Sequence, residues 1–181
     1  MNIANSSKTT TKDLTTMTLL TALLCVSSYI IIPLPFSLAS ITAQTIIINL
    51  IAFLLKPKQA FTTIGVFLFL GLIGIPVFSG GGAGPAKLFG PTGGYLLGYL
   101  LAATVISLLR KNKNNIKKNI FLSIVVGMPI IYILGAAYME FLTKMNFKAL
   151  ILTSVLPFIP LDILKCILAA FLAKILNRFV N

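Results

Sequence analysis

The chain contains no histidine and no tryptophan, and its 181 residues carry only three carboxylates, Asp13, Glu140 and Asp162. Catalytic triads, His-bound zinc and two-carboxylate hydrolysis are therefore poorly supplied. Its two cysteines, Cys25 and Cys166, stand apart in apolar runs without the paired spacing of a metal or redox site, and read as small buried hydrophobes. Charge of either sign is also scarce: 10% of residues are charged against 57% hydrophobic, where a soluble domain carries about a quarter charged residues. Water is not the main solvent of a chain whose mean hydropathy is +1.01.

What charge there is runs one way, with fifteen Lys and Arg and a net +12. In a soluble protein that balance would suggest nucleic acid. Here the cations cluster between apolar runs, where membrane topology explains them and no nucleic-acid partner is implied.

The apolar runs fall at 14–32, 38–55, 60–77, 93–109, 120–142 and 150–176. Each is near the roughly 20 residues that a spanning helix needs, the second and fourth being short. The expected fold is an all-α integral membrane protein, a bundle of six transmembrane helices. Residues 1–13 form a cytoplasmic N-terminal segment and 14–181 one six-helix membrane domain. The first run exceeds a signal-peptide core, and the large Leu24 before Cys25 disfavours lipoprotein cleavage.

With the N-terminus inside, Lys8, Lys12, Lys56, Lys58, Arg110, Lys111, Lys113, Lys117, Lys118, Lys174 and Arg178 are cytoplasmic, while only Lys87, Lys144 and Lys148 lie outside. Both termini are then cytoplasmic. No internal repeat suggests two alternating halves, so a helper subunit is the better reading.

Between the third and fourth runs, residues 79–95 read SGGGAGPAKLFGPTGGY. Lys87 is followed by Leu88 rather than Ser or Thr, so the nucleotide-binding pattern fails. The stretch is longer than a turn requires and is expected to be an outer Gly-rich loop over a pocket. Gly94 with Gly98, and Ala169 with Ala173, have the spacing of close helix packing.

In the last run, Asp162 and Lys165 stand three residues apart, on one helical face. Either charge costs roughly 2.5–3.5 kcal/mol at a helix centre in the bilayer, which marks a functional pair. A purely structural ion pair is the competing reading. Pro157 and Pro160 just before it suit a kinked helix lining a cavity. Glu140, near the outer end of the fifth run, reads as interfacial.

Taken together, Pro35-Phe-Ser-Leu-Ala-Ser-Ile-Thr42-Ala-Gln44-Thr45, Gly74-Ile-Pro76-Val-Phe78, Gly90-Pro-Thr-Gly-Gly-Tyr95 and Phe158-Ile-Pro160-Leu-Asp162-Ile-Leu-Lys165 resemble the BioY family of biotin transporters, the substrate-capture (S) components of energy-coupling factor (ECF) transporters. The resemblance spans nearly the whole chain. It implies a subunit of the bacterial cytoplasmic membrane that captures biotin from outside. Its implied partners are a transmembrane coupling protein, the T component, and two ABC-type ATPases. No cofactor is implied beyond biotin as the transported ligand.

A ureido ring offers two N–H donors and one carbonyl, matching an acceptor-only Asp162 and a donor-only Lys165. By the family pattern, Thr42, Gln44, Gly90, Thr92 and Tyr95 shape the pocket, with Phe78 and Tyr95 against the apolar bicycle. Some relatives place a polar residue where Gly82 stands and a basic residue where Leu96 stands. Here Lys87, or loop N–H groups around Gly82, are the candidates for the biotin carboxylate. Thr18 and Ala22 are the best match to the small-residue motif that docks the coupling protein.

Three other readings remain open: an S component for another small vitamin, a structural membrane protein, and an intramembrane enzyme using Asp162 and Lys165 as acid and base. The last lacks a second catalytic carboxylate or metal ligands nearby.

Overall fold

The computed structural model describes residues 10–110 and 115–180; Lys8, Lys111 and Lys113, and most of the expected N-terminal segment, lie outside them. Helix α1 (Thr11–Ser27) opens on a capping box in which Thr10 and Asp13 exchange hydrogen bonds of 3.0 and 3.2 Å. The box starts the helix ahead of the expected residue 14. The helix also stops at Ser27 rather than at 32. Pro33 and Pro35 hold the chain extended beyond it, and β1 (Ile31–Ile32) pairs antiparallel with β2 (Ile41–Thr42), Ile31 opposite Thr42.

Helix α2 (Gln44–Leu54) consequently begins later than residue 38. Its eleven residues span about 16 Å at 1.5 Å each, roughly half a hydrocarbon core of ~30 Å. The rest of that path is left to the β-hairpin and to a cavity.

Helix α3 (Pro57–Leu72) starts with Pro57 in its first turn, and the Lys56 N–H donates to Gln59 Oε1 at 3.0 Å. After it come a single 3₁₀ turn, Ser79–Gly81, and the short α4 (Pro85–Leu88). Gly80 and Gly81 have φ of 70° and 74°, which a side chain would resist. Their turn is tied back to the end of α1 by the Gly80 N–H on the Ser28 carbonyl, 3.0 Å.

Helix α5 (Gly93–Leu109) packs on α7 (Met128–Thr143) through the small-residue pair foreseen at Gly94 and Gly98. A Cβ at Gly98 would stand 2.9 Å from the Ile131 Cα, and one at Gly94 would collide with the Leu134 carbonyl and the Tyr138 side chain. The fifth span is a continuous 28-residue helix, Ile116–Thr143, whose most apolar 18-residue window has a mean hydropathy of 2.3. Within it, α6 (Ile116–Leu122) joins α7 through a π-helical segment, Ser123–Gly127. Pro129, which has no N–H to complete the α pattern, follows immediately.

The sixth run is not one helix. It divides into α8 (Phe147–Ser154) and α9 (Ile159–Val180), with a 48° bend across the break that holds Pro157. Among the described residues, Ile116–Thr143 is the one continuous helix long and apolar enough to cross a membrane, and the bent pair passes the same test if taken together.

Leu24, Ile51, Phe53, Phe67, Ala102, Ala169 and Ala173 form the centre of the core, all fully buried. The outside is equally apolar: Leu108, Ile133, Phe141 and Leu164 are exposed, Phe141 to 78%. Such a surface suits lipid rather than water.

Candidate binding site

Between the β-hairpin, the Gly-rich loop and the adjoining parts of α5, α7 and α9 lies an open-mouthed cavity, about 670 Å³ when the solvent space at its mouth is included. Its floor is the Asp162–Lys165 pair, whose Oδ1 and Nζ stand 2.9 Å apart. Both are largely buried, Asp162 being only 6% exposed. Lys165 also donates to the Thr42 carbonyl at 2.7 Å. Tyr132 Oη donates to Asp162 Oδ2 at 2.8 Å, and Thr45 Oγ1 to Oδ1 at 3.2 Å. The local reason for this convergence is the late start of α2, which sets a backbone carbonyl and the first-turn side chains beside α9.

Gln44, in the first turn of α2, is fully buried and lines the cavity, yet neither its Oε1 nor its Nε2 has a hydrogen-bond partner. An unpaired amide in a dry site costs about 1–3 kcal/mol for each group left unmet. It is the largest unmet hydrogen-bonding capacity around the cavity, and it points to a ligand with both a donor and an acceptor.

Of the residues foreseen from the sequence, Thr42, Gln44, Phe78, Lys87, Thr92, Tyr95, Asp162 and Lys165 line the cavity together. Gly82 and Gly90 do not. A Cβ at Gly82 would stand 3.0 Å from Lys87 Cε, so the missing side chain makes room for the lysine stem. The ammonium of the half-buried Lys87 has no hydrogen bond or ion pair among the described residues. Phe78 is fully buried, its ring lodged against Gly71 and edge-on to Phe67 at 5.6 Å, so most of it belongs to the core. Tyr95 rests its ring against Gly135 and donates to the Ser154 carbonyl at 2.9 Å. Thr18 and Ala22 are both exposed on α1.

Sequence reasoning missed Tyr132, Thr45, Tyr99, Ile131 and Phe158, which also line the cavity. The signal for Thr45 was its place beside Gln44. For Tyr132 it was a hydroxyl inside an apolar run, which in a dry helix demands a partner. Among the described residues no cluster of His, Cys, Asp and Glu could hold a metal ion.

Residues 3–181 match the model of the BioY family. The biotin transporter BioY2 of Lactococcus lactis subsp. cremoris is 36% identical over 172 residues, covering 93% of this chain and 92% of that protein. The biotin transporter BioY of Thermotoga maritima is 35% identical over 161 residues, 87% of this chain and 91% of that one. Among solved structures, the S-component for biotin from an ECF-type ABC transporter superposes with a TM-score of 0.87. It is 29% identical, with 98% of this chain and 95% of that chain covered.

Proposed function

The chain belongs to the BioY family, and from that premise we propose that it captures biotin outside the cell and moves it inward as the substrate-binding subunit of an ECF-type transporter. It acts by binding and transport, and it is not an enzyme; the relatives are transporters. The observation that carries the ligand assignment is the free hydrogen-bonding capacity of the cavity floor. Of an ammonium's three donors, Lys165 has used two, on Thr42 and Asp162. A carboxylate has about four acceptor sites, and Asp162 has filled three, with Lys165, Thr45 and Tyr132. Gln44 has used none.

A cyclic urea fits what is left. One ureido N–H goes to Asp162, the other to Gln44 Oε1, and the carbonyl takes a donor from Lys165 or Gln44 Nε2. The apolar walls, Phe158, Ile131 and the Tyr95 and Tyr99 rings, receive the bicycle. Lys87, the cavity's unpaired cation, receives the carboxylate tail, and Thr92 lines the same cavity.

The chain is a multi-pass protein of the bacterial cytoplasmic membrane with both termini inside. Residues 1–13 are the cytoplasmic segment and the rest one membrane domain. The cation count supports this orientation, and Arg110 at the end of α5, which donates to the Leu55 carbonyl at the end of α2, puts those two helix ends on one side. A T component and two ABC-type ATPases supply the energy, with the exposed Thr18–Ala22 face of α1 as the docking site. Titrating purified protein with biotin tests the reading: saturable one-to-one binding is expected, and equal indifference to biotin and to unrelated vitamins overturns it.

A further inference from the structure

Behind the cavity floor a second, much smaller pocket lies among α2, α5, the π-helical segment, α7 and α9, and Asp162, Thr45 and Ile131 line both. Its polar lining is connected. Ser123 Oγ donates to Asn49 Oδ1 at 2.7 Å, and Asn49 Nδ2 donates to the Thr45 carbonyl at 2.8 Å. Thr45 Oγ1 in turn donates to Asp162. Asn49 Nδ2 also lies 3.7 Å from Cys166 Sγ. Ser123 and Asn49 are 1% and 6% exposed.

Burying a serine and an asparagine so deep in an apolar bundle costs free energy unless they are mutually satisfied, and even then an apolar pair of the same shape serves stability about as well. Their direction is informative: apart from the Asn49–Cys166 contact, the bonds lead through Thr45 toward Asp162, and neither Ser123 nor Asn49 lines the ligand cavity. Ser123 is the first residue of the π-helical segment, the point where the fifth span departs from α geometry.

We propose that Ser123 and Asn49 are positioning residues for ligand binding. They clamp the first turn of α2 so that Thr45 holds Asp162 Oδ1 in place, leaving the free acceptor site of the carboxylate aimed at the ligand. The link at Thr45 passes through its backbone carbonyl, so what is transmitted is position rather than a proton. This rests on the reading of Asp162 as a biotin ligand.

The chain has only two aspartates, Asp13 and Asp162. Labelling the aspartate side-chain carboxylate with ¹³C therefore yields two NMR signals, assigned by Asp162→Asn. In Ser123→Val, and separately in Asn49→Leu, the Asp162 signal is expected to move while Asp13 stays. Biotin affinity should fall about three- to tenfold, the effect of one neutral hydrogen bond. Ser123→Thr, which keeps the hydroxyl, should resemble the wild type in both. Lost affinity with an unmoved Asp162 signal, a moved signal with unchanged affinity, or no change in either overturns the proposal. Unchanged affinity in Asp162→Asn is a separate outcome: it removes the biotin role of Asp162, whereas the carboxylate signal still reports whether the clamp reaches it.

Discussion

Tyr132 and Lys165 hold opposite oxygens of the same carboxylate: Tyr132 Oη donates to Asp162 Oδ2 at 2.8 Å and Lys165 Nζ to Oδ1 at 2.9 Å. Pinned from both sides, Asp162 enters binding already oriented, so the ligand meets little ordering cost. Tyr132→Phe removes one pin with almost no change in shape. Biotin affinity is expected to fall about tenfold, the scale of a hydrogen bond to a charged group. Calorimetric titration of the purified variant checks this, and an affinity equal to wild type would contradict it.

Lys165→Met leaves Asp162 buried without a counter-ion. Breaking such a pair costs about 3–5 kcal/mol, so both biotin binding and resistance to unfolding should drop. Thermal unfolding in detergent compares this variant with Lys165→Met combined with Asp162→Leu, an apolar replacement of the pair. The double variant should regain stability without regaining binding.

How much of this was legible in the sequence differs by residue. Asp162 and Lys165 stood out because charge in an apolar run is expensive enough to need a reason. Gln44 and Thr42 came forward only through resemblance to a family; nothing in their own spacing predicts a dry, unpaired amide. That Tyr132 pairs with Asp162 was not legible, for a different reason. It meets Asp162 from 30 positions away, on another helix, beyond a π-helical segment whose extra residue alters which side chains face inward. The six apolar runs located the helical segments well, and Pro157 and Pro160 marked the bend between α8 and α9. The late start of α2 was not legible, because it follows from pairing between Ile31–Ile32 and Ile41–Thr42.

Lys87 offers a test of the ligand's other end. Lys87→Met should weaken biotin about three- to tenfold by removing a partly exposed charge pair, and should leave the neutral amide of biotin bound as before. Competition binding with the two ligands separates this from a general loss: an equal drop for both argues against a contact with the carboxylate.

The Gly98–Ile131 approach carries the α5–α7 packing that supports Tyr95, Tyr99 and Tyr132. Gly98→Val is expected to overpack it and lower stability by about 1–3 kcal/mol, seen as a lower midpoint of thermal unfolding. Leu97→Val, at an exposed neighbour on the same helix, is the control and should leave the midpoint near wild type.

The central claim is that the buried pair on α9 is the floor of a biotin site. Its most direct test is native mass spectrometry of the detergent-purified protein given equimolar biotin, wild type beside Asp162→Asn. The wild type should carry one biotin per chain, and the folded, inserted variant should carry almost none. An equal biotin load on both proteins would contradict the account.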